Sequence, residues 1–236
     1  MSEENKENPQ EEVAATEEAA APKVDTSTIK LNSLFAFKVG MSQVYGEDGN
    51  VIPVTVLKYN PWVVSQVKTK ETDGYEAVQI AAMPKKAKNS SKAEIGHLKA
   101  AGFENGARYI KEVRGTLPEG IQVGQRVLID SLQKGDRVQL KGKSKGRGFA
   151  GVIKRWGHGG GPATHGSGFH RRPGSIGNRT DPGRVMPGRK LPGHFGDANK
   201  SIPHVQVVDV MADESVLLVK GSVPGARNSI VQLIKE

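Results

Sequence analysis

The sequence contains no cysteine, few aromatic residues and no long apolar run. Without cysteine the chain cannot form disulfides, use a thiol nucleophile or build a cysteine-based zinc site, which fits a reducing compartment. Aromatic residues are only 5% of the chain, so part of it must lie outside an ordinary core. No apolar run approaches the ~20 residues that span a bilayer, and the N-terminus lacks the apolar stretch of a secretory signal. We therefore expect a soluble, intracellular protein.

Acidic residues are absent from positions 137–180, although the chain has 25 of them in total. Residues 134–200 carry fifteen lysines and arginines against three aspartates, and the net charge of the chain is +9. This basic block indicates a polyanionic partner. Residues 1–25 have the opposite balance, with eight acids against two lysines. We predict that residues 1–28 form a disordered acidic tail, and a weaker alternative is that its acids transiently shield the basic block.

Short β-strands are predicted on both sides of the basic block. "FAFKVGMSQVYGEDGNVIPVTVLKY" predicts a hairpin that turns at Asp48-Gly49-Asn50, and "WVVSQVKTKETDGYEAVQIAAM" repeats the pattern around Asp73-Gly74. A helix is predicted from a capping box of Ser91 and Glu94 to a stop at Gly102. Further strands are predicted in "RYIKEVR", "QRVLID" and "DRVQLKG", and three more in the segment from "HVQVVDV" to "SIVQLIK".

We predict a mainly β fold that is interrupted by one long insertion. Residues 29–140 and 201–236 would form the globular β-domain, and residues 141–200, called here the basic arm, would extend from it. Long segments without regular structure are uncommon in compact domains and are usually functional. As an out-and-back excursion the arm has an upper reach of ~100 Å, at ~3.3 Å for each residue.

Two nucleotide-binding motifs in the arm lack parts that their chemistry requires. The stretch from Gly146 to Gly151 matches G-x-G-x-x-G, but the sequence predicts no helix after it and arginines stand where the ribose-binding acid belongs. Gly142-Lys143-Ser144 resembles the end of a Walker A loop, yet the first glycine of that motif is replaced by Arg137. Both matches are attributed to chance in a glycine-rich segment.

Metal binding and hydroxyl catalysis are equally unsupported. Four histidines lie in the arm without cysteines, and no carboxylate precedes Asp181, so a divalent ion would meet net repulsion there. Ser167 and Ser175 have no nearby acid that could orient a catalytic histidine. We predict neither a metal site nor a catalytic residue.

The arm has the composition of a nucleic-acid contact. Lysine and arginine neutralise phosphates, glycine allows close backbone approach, and proline lowers the entropy lost on ordering. Trp156, Phe169 and Phe195 are spaced singly, as stacking residues would be, although Trp156 could instead anchor the arm in the core. No helix-turn-helix, basic zipper or zinc finger is present, so folded RNA is favoured over duplex DNA.

Several ordered motifs closely resemble the bacterial ribosomal protein L3 family. They are "GKSKGRGFAGVIKRWG", "ATHG", "HRRPGSIG" and "PGRVMPGRKLPGHFG", with "KVGMSQVY", "DGYEAVQI" and "LLVKGSVPGARNSIV" outside the arm. The resemblance covers about residues 29–236. It implies a translation-protein-type β-barrel with a small α/β elaboration, and a long irregular basic arm inserted between strands. It also implies a cytoplasmic, non-enzymatic constituent of the large ribosomal subunit that binds 23S rRNA directly and acts early in assembly, beside proteins such as L14 and L19.

The resemblance also implies roles for individual residues of the arm. The implied rRNA-binding residues are Lys141, Lys143, Lys145, Arg147, Lys154, Arg155, Trp156, His158, His165, His170, Arg171, Arg172, Arg179, Arg184, Arg189 and Lys190. The implied arm tip near the peptidyl-transferase centre is Gly159, Gly160, Gly161, Pro162, Ala163 and Thr164. No cofactor, metal ion, small-molecule substrate or membrane contact is implied. Some bacterial members carry a methylated glutamine in the tip, whereas this chain has glycine near position 161.

Two other functions use the same features differently. One is an RNA-processing enzyme or translation factor with a similar barrel, which would need an acidic or nucleotide site that the arm lacks. The other is a nucleoid-type protein, which would bind duplex DNA as well as folded RNA. Off the ribosome we expect the arm to be largely disordered, because nothing in it offsets the entropy of ordering.

Overall fold

A computed structural model of the chain describes residues 28–115, 118 and 120–236. The predicted acidic tail lies outside these residues, apart from its last position, Thr28. The elements follow in chain order: β1 (Thr28–Ile29), β2 (Ser33–Tyr45), β3 (Val51–Lys58), β4 (Trp62–Lys68), α1 (Lys70–Asp73), β5 (Ala77–Pro84), α2 (Lys92–Leu98), β6 (Ala107–Arg114), β7 (Arg126–Val127), β8 (Arg137–Lys143), β9 (Phe149–Ala150), α3 (Val152–Trp156), β10 (Gly193–His194), β11 (Asn199–Met211), β12 (Val216–Lys220) and β13 (Ile230–Lys235). Short 3₁₀ turns occupy Ala87–Asn89, Lys99–Ala101 and Ile129–Ser131.

The chain divides into two compact units, of which one contains β1 and Trp62–Val127. This unit is a five-stranded sheet in the order β1-β7-β4-β5-β6, with α2 packed against it. Leu98 of α2 and Phe103 after it are buried against Val63 and Ala81 of the sheet. The packing follows from the sequence, because β5 is apolar at every position but Gln79 and β4 begins with the apolar run Trp62–Val64.

The predicted capping box starts α2 as expected. The Ser91 hydroxyl accepts a hydrogen bond from the Glu94 backbone N–H at 3.2 Å, and the Glu94 carboxylate accepts one from the Ser91 N–H at 3.3 Å. Gly102 ends the following 3₁₀ turn with a φ of 84°, in the left-handed region. Both ends of the predicted helix are therefore confirmed.

The second unit, which comprises Lys30–Pro61 and Leu128–Glu236, contains a closed barrel. Its strand order is β11-β12-β3-β2-β13-β8, and each neighbouring pair is antiparallel. Alternate residues point inward, so that Leu57, Leu140, Leu217 and Leu233 are almost fully buried. The closed six-stranded barrel confirms the prediction of a mainly β fold.

Local turn signals were good guides to the hairpins. Tyr45 pairs with Val51 across the predicted turn, and Gly49 has the left-handed φ of 74° that such turns need. Around Asp73-Gly74 the antiparallel strands β4 and β5 are joined through the short helix α1.

The segment "QRVLID" was predicted as one strand, and this is wrong for most of it. Only Arg126–Val127 forms a strand, and a 3₁₀ turn follows at Ile129–Ser131. The strand stops where the chain leaves the first compact unit, between Val127 and Leu128. Its pairing with β1 and its pairing with β4 likewise extend over only two residues each.

The basic arm leaves the barrel between two neighbouring strands. β8 and β11 pair antiparallel from Arg137 and Gln206 to Lys143 and Asn199, so both ends of the arm lie side by side on the barrel. Residues 144–198 contain only β9, α3 and β10 as regular elements. In the part of the chain that the structure describes, no helix is long and apolar enough to cross a membrane.

Candidate nucleic-acid interface

The two legs of the arm are joined by backbone hydrogen bonds close to the barrel. The Ser144 N–H donates to the Ala198 carbonyl at 2.9 Å, and the Arg147 N–H donates to the Phe195 carbonyl at 2.8 Å. The Phe195 N–H donates back to the Gly148 carbonyl at 2.9 Å, and β9 pairs with β10 just beyond. The base of the arm is thus a continuation of the β8–β11 ladder and holds the legs together.

Glycine is required where the legs come closest. Gly196 has a φ of +77°, and a Cβ there would overlap the Lys145 carbonyl oxygen and crowd the Cα of Gly146. A Cβ on Gly193 would lie 2.5 Å from the Arg155 guanidinium. A side chain at Gly196 would force the legs apart, whereas one at Gly193 would displace the Arg155 side chain.

Helix α3 connects the outgoing leg to the returning one. The Arg155 guanidinium donates to the Leu191 carbonyl at 2.8 Å, and the Trp156 indole N–H donates to the same oxygen at 3.0 Å. The Arg155 guanidinium lies 5.0 Å from the centre of the indole ring, and the Lys190 ammonium lies 6.0 Å from it. Trp156 is 44% exposed, so it lies at the surface between two cations rather than in a core.

The predicted tip is an irregular loop. The Gly161 N–H donates to the His170 carbonyl at 2.7 Å, and the Phe169 ring packs so closely that a Cβ on Gly161 would lie 2.5 Å from it. Gly161 is partly covered, whereas the other five predicted tip residues are exposed. Phe169 itself remains 40% exposed.

The arm has almost no buried side chains of its own. Within residues 144–198 only Ala150 and Val152 are buried, and every residue from 171 to 190 is exposed. Apolar side chains that would normally be covered are exposed as well, including Phe149 at 79% and Met186 at 53%. Exposed apolar side chains of this kind are typical of interaction surfaces.

The predicted rRNA-binding side chains are nearly all at the surface. Arg155 and His158 are half-buried, and the other fourteen are exposed. Among the described residues the only ion pair made by this set is Lys143 with Asp197, at 2.9 Å. The hydrogen bond from Lys143 lowers the pKa of the Asp197 carboxyl below its ordinary value. The remaining positive charge of the arm is therefore available to an external anion.

A pocket on the returning leg lacks the acidic groups that catalysis or metal binding would need. It has a volume of about 240 Å³ and is lined by His158, Pro173, Ser175, Ile176, Gly188, Arg189, Lys190 and Leu191. The Arg189 guanidinium donates to the Ser175 carbonyl, which links two parts of that leg. No carboxylate lines the pocket, and the described residues contain no group of three histidines and acids that could hold a metal ion.

Sequence reasoning missed two basic residues that the fold brings to the base of the arm. The Lys38 ammonium, on β2, donates to the Val223 carbonyl at 2.7 Å, and Arg227 lies in the same loop between β12 and β13. Both stand outside the basic block in the sequence, and charge density alone gives no signal for them. A signal was present only in the glycine-rich context of "KVGMSQVY" and "GSVPGARNS".

Comparison with known proteins places this arm in a family. A sequence profile of ribosomal protein L3 matches residues 119–215, which include the whole arm. The chain is 62% identical over 212 residues to the large ribosomal subunit protein uL3 of Bdellovibrio bacteriovorus, covering 90% of this chain and 96% of that protein. The chain belongs to the ribosomal protein L3 family.

More distant members of the ribosomal protein L3 family also match this chain over most of its length. The uL3 protein of Oceanobacillus iheyensis is 47% identical over 196 residues, covering 83% of this chain and 93% of that protein. The uL3 protein of Desulfotalea psychrophila is 47% identical over 205 residues, covering 86% and 98%. Membership confirms the resemblance found in the sequence, and it confirms that the chain is a structural ribosomal protein rather than an enzyme.

Proposed function

We propose that this chain is a constituent of the large ribosomal subunit, in the cytoplasm, that binds 23S rRNA directly through the basic arm. The observation that carries the proposal is an exposed arm without a core of its own, in which only two carboxylates, Asp181 and Asp197, stand against thirteen lysines and arginines. Lysine and arginine would neutralise phosphates, and Trp156 and Phe169 offer exposed ring faces for stacking on unpaired bases. The sixteen predicted rRNA-binding residues would contact RNA, and residues 159–164 would approach the peptidyl-transferase centre.

The barrel and the arm have different parts in this proposal. The barrel supplies a rigid base, because β8 and β11 hold both legs of the arm in register. The arm is expected to be largely disordered before it meets RNA and to order on binding, which favours an early role in subunit assembly. Neighbouring proteins such as L14 and L19 would contact the assembled protein. Duplex DNA is a poorer fit, because helix α3 has only five residues and the β9–β10 ribbon only two residues in each strand, which is too short to fill a groove.

Replacement of the arm tests the proposal. The pairing of Lys143 with Asn199 allows residues 144–198 to be replaced by a two-residue Asn-Gly turn that closes a β8–β11 hairpin. The barrel should keep its thermal unfolding midpoint, whereas incorporation into large subunits on sucrose gradients and binding to a 23S rRNA transcript should fall at least tenfold. Normal incorporation of a folded, armless protein would contradict the proposal.

The position of the tip is tested separately in the full-length protein. Because the chain has no cysteine, an Ala163→Cys variant carries a single thiol for a tethered hydroxyl-radical probe. Cleavage of 23S rRNA around the peptidyl-transferase centre is expected in assembled subunits. A Lys99→Cys variant, on the first compact unit, serves as the matched control and should give a different cleavage pattern.

A further inference from the structure

The loop between β12 and β13, residues 221–229, folds onto the base of the arm. The Lys38 ammonium donates to the carbonyls of Val223 and Gly225, at 2.7 and 3.3 Å. Pro224 packs on Gly142 of β8, where a Cβ would lie 3.1 Å from the proline ring. The loop thus contacts both β2 and the strand from which the arm departs.

Backbone conformation holds this loop in a single path. Gly225 has a φ of +107°, and a Cβ there would lie 3.1 Å from the Lys143 carbonyl oxygen. The Asn228 N–H donates to the Lys38 carbonyl at 2.7 Å, and the Lys38 N–H donates to the Ser229 carbonyl at 3.0 Å. Residues on the loop are therefore fixed with respect to Lys38 and the arm base.

Three cations, Lys38, Lys145 and Arg227, lie around the contact of this loop with the arm base. The loop touches the outgoing leg at the Lys143 carbonyl, two residues before Lys145. Burial, and next the charge of Lys145, lower the pKa of the Lys38 ammonium. One Arg227 guanidinium nitrogen lies 4.0 Å from where a Cβ on Gly40 would be, which places Arg227 at the bulge of β2, two residues along the strand from Lys38. Within the described part of the chain, none of the three forms an ion pair, and Asp197 is engaged by Lys143.

A purely structural role explains only one of these residues. Lys38 has carbonyl partners and could be present to fasten the loop. Lys145 and Arg227 are exposed, and neither side chain donates a hydrogen bond to the described residues. A cationic cluster that contributes no internal bonds and raises electrostatic repulsion is destabilising on its own, and a bound anion would relieve the repulsion.

We propose that Lys38, Lys145 and Arg227 form a phosphate-binding site for the RNA backbone on the barrel, at the base of the arm. The ligand class is a phosphodiester, because lysine supplies point charges and arginine a planar fork for phosphate oxygens. This inference rests on the proposed function and extends it, since it adds a fixed contact on the barrel to the contacts of the arm. The site would set the direction in which the arm leaves the barrel relative to the RNA.

The test measures how salt weakens binding of the full-length protein to a 23S rRNA transcript. Each lost phosphate contact makes the slope of log affinity against log salt less steep by about 0.9. Arg227→Gln should show that change, and its affinity in 0.1 M salt should fall about eightfold, relative to a 1 M reference at which charge contributes little. Arg227→Lys should retain most of the slope. Arg108→Gln, an exposed arginine on β6, is the matched control and should leave the slope unchanged.

An arm variant separates failure of this inference from failure of the proposed function. Arg171→Gln should reduce the slope if the arm binds RNA at all. A reduced slope for Arg171→Gln with an unchanged slope for Arg227→Gln would overturn the phosphate site and leave the proposed function standing. Wild-type slopes for both variants would overturn both. Thermal unfolding checks that each variant folds, and Lys145→Gln, a second variant at the site, should match Arg227→Gln.

Discussion

Single glycines fix the base of the arm. Gly196 and Gly148 both have left-handed backbones, with φ of +77° and +66°. They differ in their surroundings, because a Cβ on Gly196 would overlap the Lys145 carbonyl, whereas one on Gly148 would meet nothing within 4 Å. An alanine at Gly148 would therefore introduce backbone strain alone, whereas an alanine at Gly196 would add steric overlap to the same strain.

We expect Gly196→Ala to open the base of the arm far more than Gly148→Ala does. Alanine at a left-handed position costs about 1 kcal/mol, which corresponds to about fivefold faster local opening. The overlap at Gly196 adds to this, so exchange of the Arg147 and Phe195 amide hydrogens, which bridge the legs, should accelerate more than tenfold. Hydrogen exchange followed by NMR measures both variants. Equal acceleration in the two would contradict the close approach at Gly196.

The exposure of the arm's basic residues was predictable from the sequence, whereas the partners of individual side chains were not. Charge density and the absence of acids identify Arg171, Arg172 and their neighbours directly from the sequence. The environment of Trp156 depends on Leu191, which is 35 residues further along the chain, so the sequence left both a core and a stacking role open. Lys38 and Arg227 were missed for the same reason, since pairing of distant strands brings them to the arm.

Strand β13 closes the barrel between β2 and β8, and an ion pair fastens its end. The Lys235 ammonium donates to an Asp136 carboxylate oxygen at 2.7 Å, and the Gln133 N–H donates to the same oxygen at 2.9 Å. The bond from Lys235, followed by that from Gln133, lowers the pKa of the Asp136 carboxyl from its ordinary 3.8. Asp136 therefore favours the folded state while it is ionised.

Asp136→Asn should reduce the dependence of stability on pH in the acid range. A carboxyl with a lowered folded pKa contributes its full stabilisation above its unfolded pKa of 3.8, and the contribution disappears as the pH falls through the lower folded value. The variant should be less stable than wild type near pH 7, and the two should converge below pH 3.8. Urea unfolding across this range measures the difference. A constant difference at all pH values would show that the carboxylate charge is not responsible.

Elements with local signals were predicted well, and elements defined by distant partners were not. The capping box of α2 and the hairpin turn at Gly49 are each determined by a few neighbouring residues. The length of β7 depends instead on two-residue ladders with β1 and β4, and on the point where the chain passes to the second compact unit. No pattern inside "QRVLID" carries that information.

At the scale of the whole molecule, charge dominates the expected binding. The net charge of +9 is concentrated in the arm, where the described residues form one ion pair. With about eight phosphate contacts, log affinity for 23S rRNA should fall with a slope of about −7 against log salt. Filter binding over a range of potassium chloride concentrations measures this slope. A slope shallower than about −3 would mean that most of the arm stays out of contact with phosphate.

The β-rich class of the molecule and its long insertion were both predictable from the sequence. Alternating apolar residues indicate strands, and a stretch without alternation or acids indicates an excursion. The order in which six strands close a barrel was not predictable, because residues such as Val138 and Val231 satisfy the same pattern in many registers. Closure depends on packing among strands that are far apart in the chain.

The departure of both legs from adjacent strands also determines how the arm and a folded RNA can become interlocked. Because Lys143 and Asn199 are paired, the arm is a hairpin-like protrusion whose two ends meet at the barrel, and not a free chain end. RNA can fold around such a protrusion, and the protrusion can be withdrawn from folded RNA, without any end of the protein chain passing through a loop of RNA. In the proposed complex the protein and the RNA would therefore remain unlinked however deeply the arm is embedded, and assembly would need no step that threads one chain through the other.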